Sequence, residues 1–295
     1  LGFRKALKIT NGNQTGGAGA SDYVQIAYSP EAQDIANSGW NYTSTSSNIA
    51  FSFWVKASVA QTYQVRISSK DGTAQGFVFE FSLSADTWTK VTKVMEGNSN
   101  LQFDNNNGNG MEITILPFIG TTYTSPNPTL NAWGAYNYLT SRKDMTSTWY
   151  TTNDATFEVT GVQLEVSDNV NDFEFKTFDQ EFQRCLRYYE QFNSNGLVEA
   201  IFGSGYFESN GEGRHALLYS RKRAAPTITT SGADQFINLN TGSVPAGDSV
   251  TIRKQTETAC EFRLVAGTSG TDGQGCLLAS SHSSSEATIK IDAEL

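Results

Sequence analysis

Apolar and polar residues alternate along most of the first 177 residues, which is the pattern of half-buried β-strands. In Ile49–Ala57 every second residue from Ile49 onward is apolar, whereas Ser52 and Lys56 fall on the opposite face. The same alternation predicts the further strands Ala6–Thr10, Tyr23–Tyr28, Tyr63–Ser68, Phe77–Leu83, Trp88–Met95, Met111–Phe118 and Thr156–Val166. Short strands separated by loops rich in Gly, Asn and Ser are typical of an antiparallel sandwich or jelly roll.

The strand Thr156–Val166 contains a shift in its alternation. Phe157 and Val159 are apolar before Gly161, and Val162 and Leu164 are apolar after it with the opposite parity. One extra residue in a strand changes the parity in this way, so the sequence predicts a β-bulge at Gly161.

The segment Phe178–Phe192 follows a helical period instead. Its apolar residues are separated by four, three, one, three and three positions: Phe178, Phe182, Cys185, Leu186, Tyr189 and Phe192. Such a stripe covers one face of a helix. Thr177 and Gln180 form the T-x-x-Q pattern of a capping box, which predicts where the helix begins.

Strand patterns resume after this helix: Gly196–Phe207, Arg214–Arg221, Pro226–Thr230, Val250–Arg253, Ala259–Val265, Cys276–Ala279 and Ala287–Leu295. The predicted fold class is therefore all-β, with two antiparallel β-sandwich (jelly-roll-like) domains joined by a short α-helix. We divide the chain into a first domain over 1–177, a linking helix over 178–192 and a second domain over 193–295.

The charge of the chain narrows the range of partners. The 295 residues include 21 Lys and Arg against 30 Asp and Glu, a net charge of −9, so we expect no nucleic-acid binding. The longest apolar stretch, Ile113–Gly120, contains Pro117 and is too short to span a bilayer, so we expect no membrane insertion.

Because the chain opens without Met, we expect it to be a fragment or a processed product.

Catalytic and metal-binding motifs are not found in the sequence. His215, on a predicted strand, and His282, in a serine-rich loop, have no second ligand nearby, and we interpret both as surface residues. There is no G-x-S-x-G elbow and no phosphate-binding loop, so we expect no enzyme activity, no cofactor and no metal. Two carboxylates would still suffice for a glycosidase, and candidates on strands or at their ends are Glu80, Asp86, Glu112, Asp154 and Glu158.

Two further motifs leave structural questions open. The oxygen-rich segment 104–110 lacks the EF-hand pattern and is interpreted as a turn, with a structural calcium left open. Cys185, Cys260 and Cys276 are too few for a disulfide scaffold, and we expect all three to be reduced. Cys260 and Cys276 would be able to pair only if their strands were neighbours.

Aromatic residues are the remaining signal for binding. Those in loop-like stretches flanked by Asn, Thr and Ser are Trp40, Tyr42, Trp133, Tyr136, Tyr138, Trp149 and Tyr150. Sugars lay their apolar C–H faces on such rings, while groups like those of Asn131, Asn137 and Asp154 take the hydroxyls. The alternative is that the rings close the ends of the sandwich core and keep their polar tips in water.

Four segments carry a resemblance to a known family: Phe51-Ser-Phe-Trp-Val-Lys-Ala, Ala85-Asp-Thr-Trp, Ala155-Thr-Phe-Glu-Val-Thr-Gly-Val-Gln-Leu-Glu-Val and Phe182-Gln-Arg-Cys-Leu-Arg-Tyr-Tyr-Glu. In this order they resemble tail-fibre and related virion structural proteins of bacteriophages. The resemblance extends over both halves and is strongest over residues 50–190. The segment 167–174 departs from it, because it lacks the Gly and Pro that the family often has before the helix.

This resemblance implies a non-catalytic tail fibre that adsorbs to a host cell-surface glycan such as lipopolysaccharide. It implies a first domain similar to carbohydrate-binding modules, a homotrimer, contacts with other virion tail proteins, and a missing N-terminal attachment region. The protein would be made in the host cytoplasm and located in the virion. Because the family carries aromatics near Trp133 irrespective of host, specificity is expected in the second domain, around Tyr206, Phe207, Tyr219 and Phe236.

The predicted carbohydrate-binding residues are accordingly Trp40, Tyr42, Trp133, Tyr136, Trp149, Tyr206 and Tyr219. Two other interpretations remain. A purely structural virion component, either a capsid decoration or a tail connector, would use the jelly roll for assembly contacts. A polysaccharide depolymerase, which the sequence favours less, would need paired carboxylates about 5–10 Å apart in a groove.

Overall fold

A computed structural model of the chain describes residues 2–14, 16–240, 244–267, 270–282 and 286–294. The chain forms two compact units, of which the first ends at Phe175 and the second extends from Lys176 to Glu294. Antiparallel sheets make up most of both units, so the predicted all-β sandwich class is confirmed. Within the described residues, no helix has the length and apolar character needed to cross a membrane.

The strands of the first unit are β1 (Leu7–Thr10), β2 (Tyr23–Tyr28), β3 (Asn48–Ala57), β4 (Gln61–Ser69), β5 (Gln75–Leu83), β6 (Thr89–Glu96), β7 (Met111–Ile119), β8 (Thr124–Ser125), β9 (Trp133–Ala135), β10 (Arg142–Lys143) and β11 (Thr156–Val166). Its short helices are α1 (Ala32–Ala36) and α2 (Thr148–Thr151). One sheet has the order β1-β11-β3-β6 and the other the order β2-β7-β4-β5-β9, while β8 and β10 form a parallel pair.

Aromatic contacts between these two sheets form the first core. Phe53 on β3 meets Phe81 on β5 edge-on, with ring centroids 5.5 Å apart. Tyr63 on β4 meets Phe157 on β11 at 5.1 Å. Since side chains alternate along a strand, this packing also decides which side chains of each strand point outward.

The predicted bulge in β11 is confirmed. Thr160 pairs with Trp54 and Gln163 pairs with Ser52, so β11 uses three steps where β3 uses two. Gly161 has a φ of +58°, and a Cβ at this position would lie 2.4 Å from Cζ of Phe3. Glycine meets both requirements at once, because it tolerates the left-handed backbone and leaves room for the ring.

The second unit contains α3 (Phe178–Leu186) and the strands β12 (Tyr189–Asn193), β13 (Ile201–Ser209), β14 (Glu212–Leu218), β15 (Thr227–Thr230), β16 (Phe236–Leu239), β17 (Gly247–Arg253), β18 (Ala259–Ala266), β19 (Gly275–Ser280) and β20 (Thr288–Asp292). Its sheets have the orders β16-β19-β13-β14-β18-β17 and β12-β20-β15. Its core includes Leu217, Phe236, Phe262, Leu278, Ile289 and Ile291. Leu295, placed at the end of the last predicted strand, lies outside the described residues.

The helix is shorter than the spacing predicts. Its capping box is confirmed: the Thr177 N–H donates to Oε1 of Gln180 at 3.0 Å, and the Gln180 N–H donates to Oγ1 of Thr177 at 3.4 Å. However, α3 ends at Leu186, and residues 189–193 form β12, which pairs with β20. The predicted extension to Phe192 is wrong because pairing with β20 satisfies the backbone of this segment, which helical spacing alone does not reveal. The linking role of the helix stays a prediction.

The cysteines are free, as the sequence predicts. Cys260 on β18 and Cys276 on β19 are buried, and β13 and β14 lie between their strands. Three inter-strand spacings amount to about 14 Å, too far for a disulfide. Burial raises the pKa of the Cys260 thiol to about 12 and that of the Cys276 thiol to about 11, so both stay protonated.

The interpretation of His215 as a surface residue is wrong. This side chain is 1% exposed on β14, and its Nε2 lies 2.8 Å from Oδ1 of Asn238 on β16. Gly213 makes the room, because a Cβ there would lie 2.7 Å from His215 Nε2. Burial lowers the pKa of His215, and the hydrogen bond with Asn238 opposes that shift. His282 is exposed as predicted, with Nδ1 2.7 Å from Oε1 of Glu199.

The buried His215 predicts that the second unit loses stability in mild acid. In the unfolded chain a histidine binds a proton near pH 6.5, whereas burial keeps the folded side chain neutral to lower pH. Below about pH 6.5 the unfolded state therefore binds more protons. We expect the free energy of unfolding to be highest above this pH and to fall by about 1.4 kcal/mol per pH unit below it, until the folded pKa is reached.

The measurement is the urea midpoint for labelling of Cys260 and Cys276, read with a thiol pulse at fixed pH after equilibration between pH 7.5 and 5.5. Both buried thiols lie in the second unit, so their labelling reports its unfolding. His215→Gln should flatten the pH dependence of the urea midpoint. His282→Gln should have the same pH dependence as the wild type. A wild-type midpoint that does not move with pH would contradict the prediction.

Candidate functional site

Three predicted binding residues lie in the cores, namely Trp40, Trp149 and Tyr219, each at most 8% exposed. Nε1 of Trp40 donates to the Ser47 carbonyl and Nε1 of Trp149 to the Thr156 carbonyl, both at 3.0 Å. The Tyr219 hydroxyl donates to the Thr256 carbonyl at 2.9 Å. A ring with no exposed face cannot stack on a sugar, so these three residues stabilise the cores instead. The same holds for Phe207 and Phe236, which are fully buried.

Tyr42 and Trp133 lie half-buried at the rim of the first core. Tyr42 packs edge-on against Phe103 with ring centroids 5.0 Å apart. Trp133 packs against Phe77 at 5.4 Å, and its Nε1 donates to the Glu96 carbonyl at 2.8 Å. Both therefore have structural contacts and keep only part of their surface in solvent.

Tyr206 and Tyr136 are the predicted residues that lie outside the cores. Tyr206 is 48% exposed on β13, where it is in register with Arg214. Tyr136 follows β9 on the outer face of the five-stranded sheet, where a Cβ on Gly76 would lie 3.2 Å from its Cδ2. Its hydroxyl accepts a hydrogen bond from Nη1 of Arg66 at 2.5 Å. The hydroxyl of Tyr136 is thus bonded to a charged side chain that is itself buried.

The outer face of β4 carries polar side chains that are nevertheless buried. Gln64, Arg66 and Ser68 alternate with core residues and are at most 3% exposed. A later segment covers this face: the Lys143 N–H donates to Oε1 of Gln64 at 3.1 Å, and Nε2 of Gln64 donates to the Lys143 carbonyl at 2.6 Å. Segment 136–143 therefore removes outward-pointing groups from bulk water.

Arg66 is the centre of this cluster. Its Nη2 donates to Oγ1 of Thr114 at 2.8 Å, and the same nitrogen forms an ion pair with Glu112 on β7. Glu112 also pairs with Lys70, whose Nζ lies 3.2 Å from Oε2. We call the group formed by Arg66, Lys70, Glu112, Tyr136 and Arg142 the polar patch.

Arg142 contributes a second buried guanidinium to the polar patch. It lies on β10, is 6% exposed, and donates from Nη1 to the Tyr138 carbonyl at 2.8 Å. Its Nε is buried without a hydrogen-bond partner, as is Nε of Arg66. Among the residues that the structure describes, no carboxylate forms an ion pair with Arg142.

The three cations of the polar patch repel one another. Burial and, to a smaller extent, the charge of Arg142 lower the pKa of Arg66 to about 10, although Tyr136 opposes both effects. Burial also lowers the pKa of Lys70, to which the charges of Arg66 and Arg142 add. Burial lowers the pKa of Arg142, and Tyr136 again opposes the shift. Arg66 stays charged at neutral pH, so the patch holds more positive than negative charge.

Two of the carboxylates named as glycosidase candidates share this outer face. Glu80 on β5 is in register with Gln64, and Glu112 on β7 is in register with Ser68. They are therefore separated by about 13 Å along the strands and about 10 Å across them. That exceeds the separation of about 5–10 Å that glycoside hydrolysis requires. Both also have cationic partners, since Nζ of Lys143 lies 3.2 Å from Oε2 of Glu80.

In the described part of the chain, no three His, Cys, Asp or Glu side chains come together as a ligand set for a metal ion. The chemistry available in the polar patch is that of hydrogen bonding, charge and one aromatic ring. The sequence analysis named Tyr136 as a candidate but not Arg66 or Arg142, because Arg66 is an outward polar residue on a predicted strand and Arg142 lies in no predicted element.

The chain has only weak similarity to known proteins. No family model matches it, and no curated protein matches it either. Among solved structures it is similar to "Family 16 Carbohydrate Binding Module-2", with a TM-score of 0.28 and 13% identity, over 55% of this chain and 77% of that one. It is also similar to a structure of botulinum neurotoxin type C described by its interaction with two ganglioside molecules, with a TM-score of 0.24 and 9% identity, over 98% and 89% of the two chains.

The charge balance predicts that Glu112 stabilises the first unit. Glu112→Gln leaves Arg66 buried without its carboxylate, and removing one partner of a buried pair is costly. Because Glu112 itself is partly exposed, we expect a loss of about 2 kcal/mol, below the range for fully buried pairs. The measurement is urea unfolding followed by tryptophan fluorescence, since all five tryptophans lie in the first unit.

Glu158→Gln is the matched control for this prediction. Glu158 pairs with Lys56 at 3.0 Å on the other sheet, where the lysine side chain is 25% exposed. Its replacement should cost less than about 1 kcal/mol. Equal losses of unfolding free energy in the two variants would contradict the prediction, because they would show that the buried charge of Arg66 needs Glu112 no more than a partly exposed lysine needs its partner.

Proposed function

We propose that this protein binds a glycan through the polar patch, without catalysis. The observation that carries the proposal is the patch itself, in which the centroid of the Tyr136 ring lies 5.2 Å from the guanidinium carbon of Arg66 and 5.8 Å from Nζ of Lys70. A sugar presents an apolar C–H face together with many hydroxyls, so its site needs a ring and several fixed donors and acceptors. Tyr136 supplies the ring, and the partly exposed side chains of Lys70 and Glu112 supply the polar groups.

We further propose a setting for this activity: a bacteriophage tail fibre, or a similar virion appendage, that adsorbs to a bacterial surface glycan such as lipopolysaccharide. The support is the resemblance of segments such as 51–57 and 182–190 to those proteins. The same resemblance motivates a virion location, contacts with other tail proteins and a homotrimer. Three copies would raise a weak affinity for each sugar through multivalency.

A purely structural virion component is the second candidate, and one observation favours it. Phe178 and Phe182 on α3 are 79% and 47% exposed and stack on each other with ring centroids 5.7 Å apart. Exposed apolar side chains of this size suit a contact with another subunit. A depolymerase has less support, because Glu80 and Glu112 are too far apart to act as a pair.

The test is binding of the purified chain to a glycan array, with Tyr136→Ala and Tyr206→Ala as paired variants. Each variant removes one tyrosine that lies outside the cores, and the two positions lie in different units. We expect Tyr136→Ala to weaken binding about tenfold, equivalent to about 1.4 kcal/mol, and Tyr206→Ala to bind like the wild type. Thermal unfolding of both variants controls for folding.

Two outcomes would count against this proposal. Loss of binding in Tyr206→Ala alone would move the site to the second unit. A folded wild-type chain that binds no glycan would contradict glycan binding altogether and favour the structural candidate.

A further inference from the structure

Two tryptophans lie on the outer face of the four-stranded sheet. Phe53 and Val55 of β3 are fully buried in the core, so Trp54 between them points outward. Trp88 comes directly before β6, and Nζ of the outward Lys56 lies 5.3 Å from the centroid of its ring. Both indoles are half-buried, so part of each lies at the surface.

The indole nitrogens distinguish these two tryptophans from the other three. Nε1 of Trp40, Trp133 and Trp149 each donates to a backbone carbonyl of the same unit. Within the part of the chain that the structure describes, Nε1 of Trp54 and Nε1 of Trp88 have no protein acceptor, and neither nitrogen is buried. Two surface donors beside two rings are therefore left for water or for a ligand.

Charged side chains surround the two rings. Lys56 pairs with Glu158 on β11, with Nζ 3.0 Å from Oε1, and both side chains are partly exposed, at 25% and 18%. Lys90 on β6 is in register with Trp54, and its Nζ donates to the Asn171 carbonyl at 3.4 Å. We call the group formed by Trp54, Lys56, Trp88, Lys90 and Glu158 the tryptophan face.

We propose that the tryptophan face binds a second glycan segment, separate from the one at the polar patch. This proposal rests on the proposed function and adds a second binding face to it. The indoles match the apolar C–H face of a sugar, and their N–H groups and the Lys56–Glu158 pair match its hydroxyls. Lys and Glu are depleted in the cores of protein–protein interfaces, so these surroundings suit a glycan better than a second copy of the chain.

The two binding faces lie on opposite sides of the first unit. The polar patch is on the outer face of the five-stranded sheet, and the two sheets pack against each other through the aromatic core. Because packed sheets lie about 10 Å apart with their outer faces pointing away from each other, one short oligosaccharide cannot contact both faces. A single chain therefore bridges two glycan strands.

The first experiment is oxidation of the tryptophans by limiting N-bromosuccinimide, read by peptide mass spectrometry after alkylation of the exposed Cys185 thiol. The probes are lipopolysaccharide core oligosaccharides, chitotetraose, cellotetraose and maltotetraose. We expect a probe that binds, at about ten times its dissociation constant, to slow oxidation of Trp54 and Trp88 about tenfold. Oxidation of Trp133, which lies in neither face, should be unchanged. This arm needs no variant, so it does not depend on how well a substituted chain folds.

Protein variants then separate the two faces, with affinities from calorimetry and folding checked by thermal unfolding. Tyr136→Ala should keep the protection of both indoles, whereas Trp88→Ala should weaken binding at the tryptophan face about tenfold. Trp54→Phe keeps a ring but removes the N–H donor, so we expect a smaller loss. Val94→Ala is the control, because Val94 is 39% exposed on the same sheet face and should bind like the wild type.

The possible failures are distinguishable. Binding without protection of Trp54 and Trp88, or protection that Tyr136→Ala abolishes, would overturn the second face while the polar patch stands. Equal losses in Val94→Ala and Trp88→Ala would also overturn it, because the loss would then not depend on the indole. Binding that Trp88→Ala abolishes and Tyr136→Ala leaves unchanged would support the tryptophan face and contradict the polar patch. If no probe binds the folded wild-type chain, both proposals fail.

Discussion

The outer face of the five-stranded sheet is closed by polar contacts around the buried guanidinium of Arg66. Such a charge has to be surrounded by partners, and the neighbouring elements supply them: Thr114 and Glu112 from β7, and Tyr136 from the residue after β9. The covering segment is held by hydrogen bonds with Gln64. The position of Tyr136, and with it the candidate site, therefore depends on how the sheet accommodates one charge.

Aromatic residues lie in two different settings in this protein, which differ in the hydrogen-bond partners of their polar tips. Trp40 and Trp149 donate to backbone carbonyls of their own unit and are buried. The hydroxyl of Tyr136 instead accepts a hydrogen bond from Arg66, a charged side chain on an outer sheet face. An abundance of rings in loops is thus not by itself a sign of sugar binding, because a sandwich core also needs rings at its ends.

Much of the fold was predictable from sequence, since alternation located most strands and the parity shift located the bulge at Gly161. The end of α3 was not, because residues 189–193 fit a helical stripe and become a strand only when they pair with β20. Of the residues in the polar patch, only Tyr136 was named from the sequence as a binding residue. Arg66 looks like a solvated outward residue in the sequence. It is buried by the covering segment 136–143, which carries Arg142 and whose path no local pattern reveals.

The most direct test of the central claim is a crystal structure of the chain with the oligosaccharide that binds best on the array. We expect sugar density against the outer face of the five-stranded sheet, in contact with the Tyr136 ring and within hydrogen-bond distance of Lys70 or Glu112. Density elsewhere, beside Tyr206 or at the rim near Tyr42, with the polar patch unchanged, would contradict it.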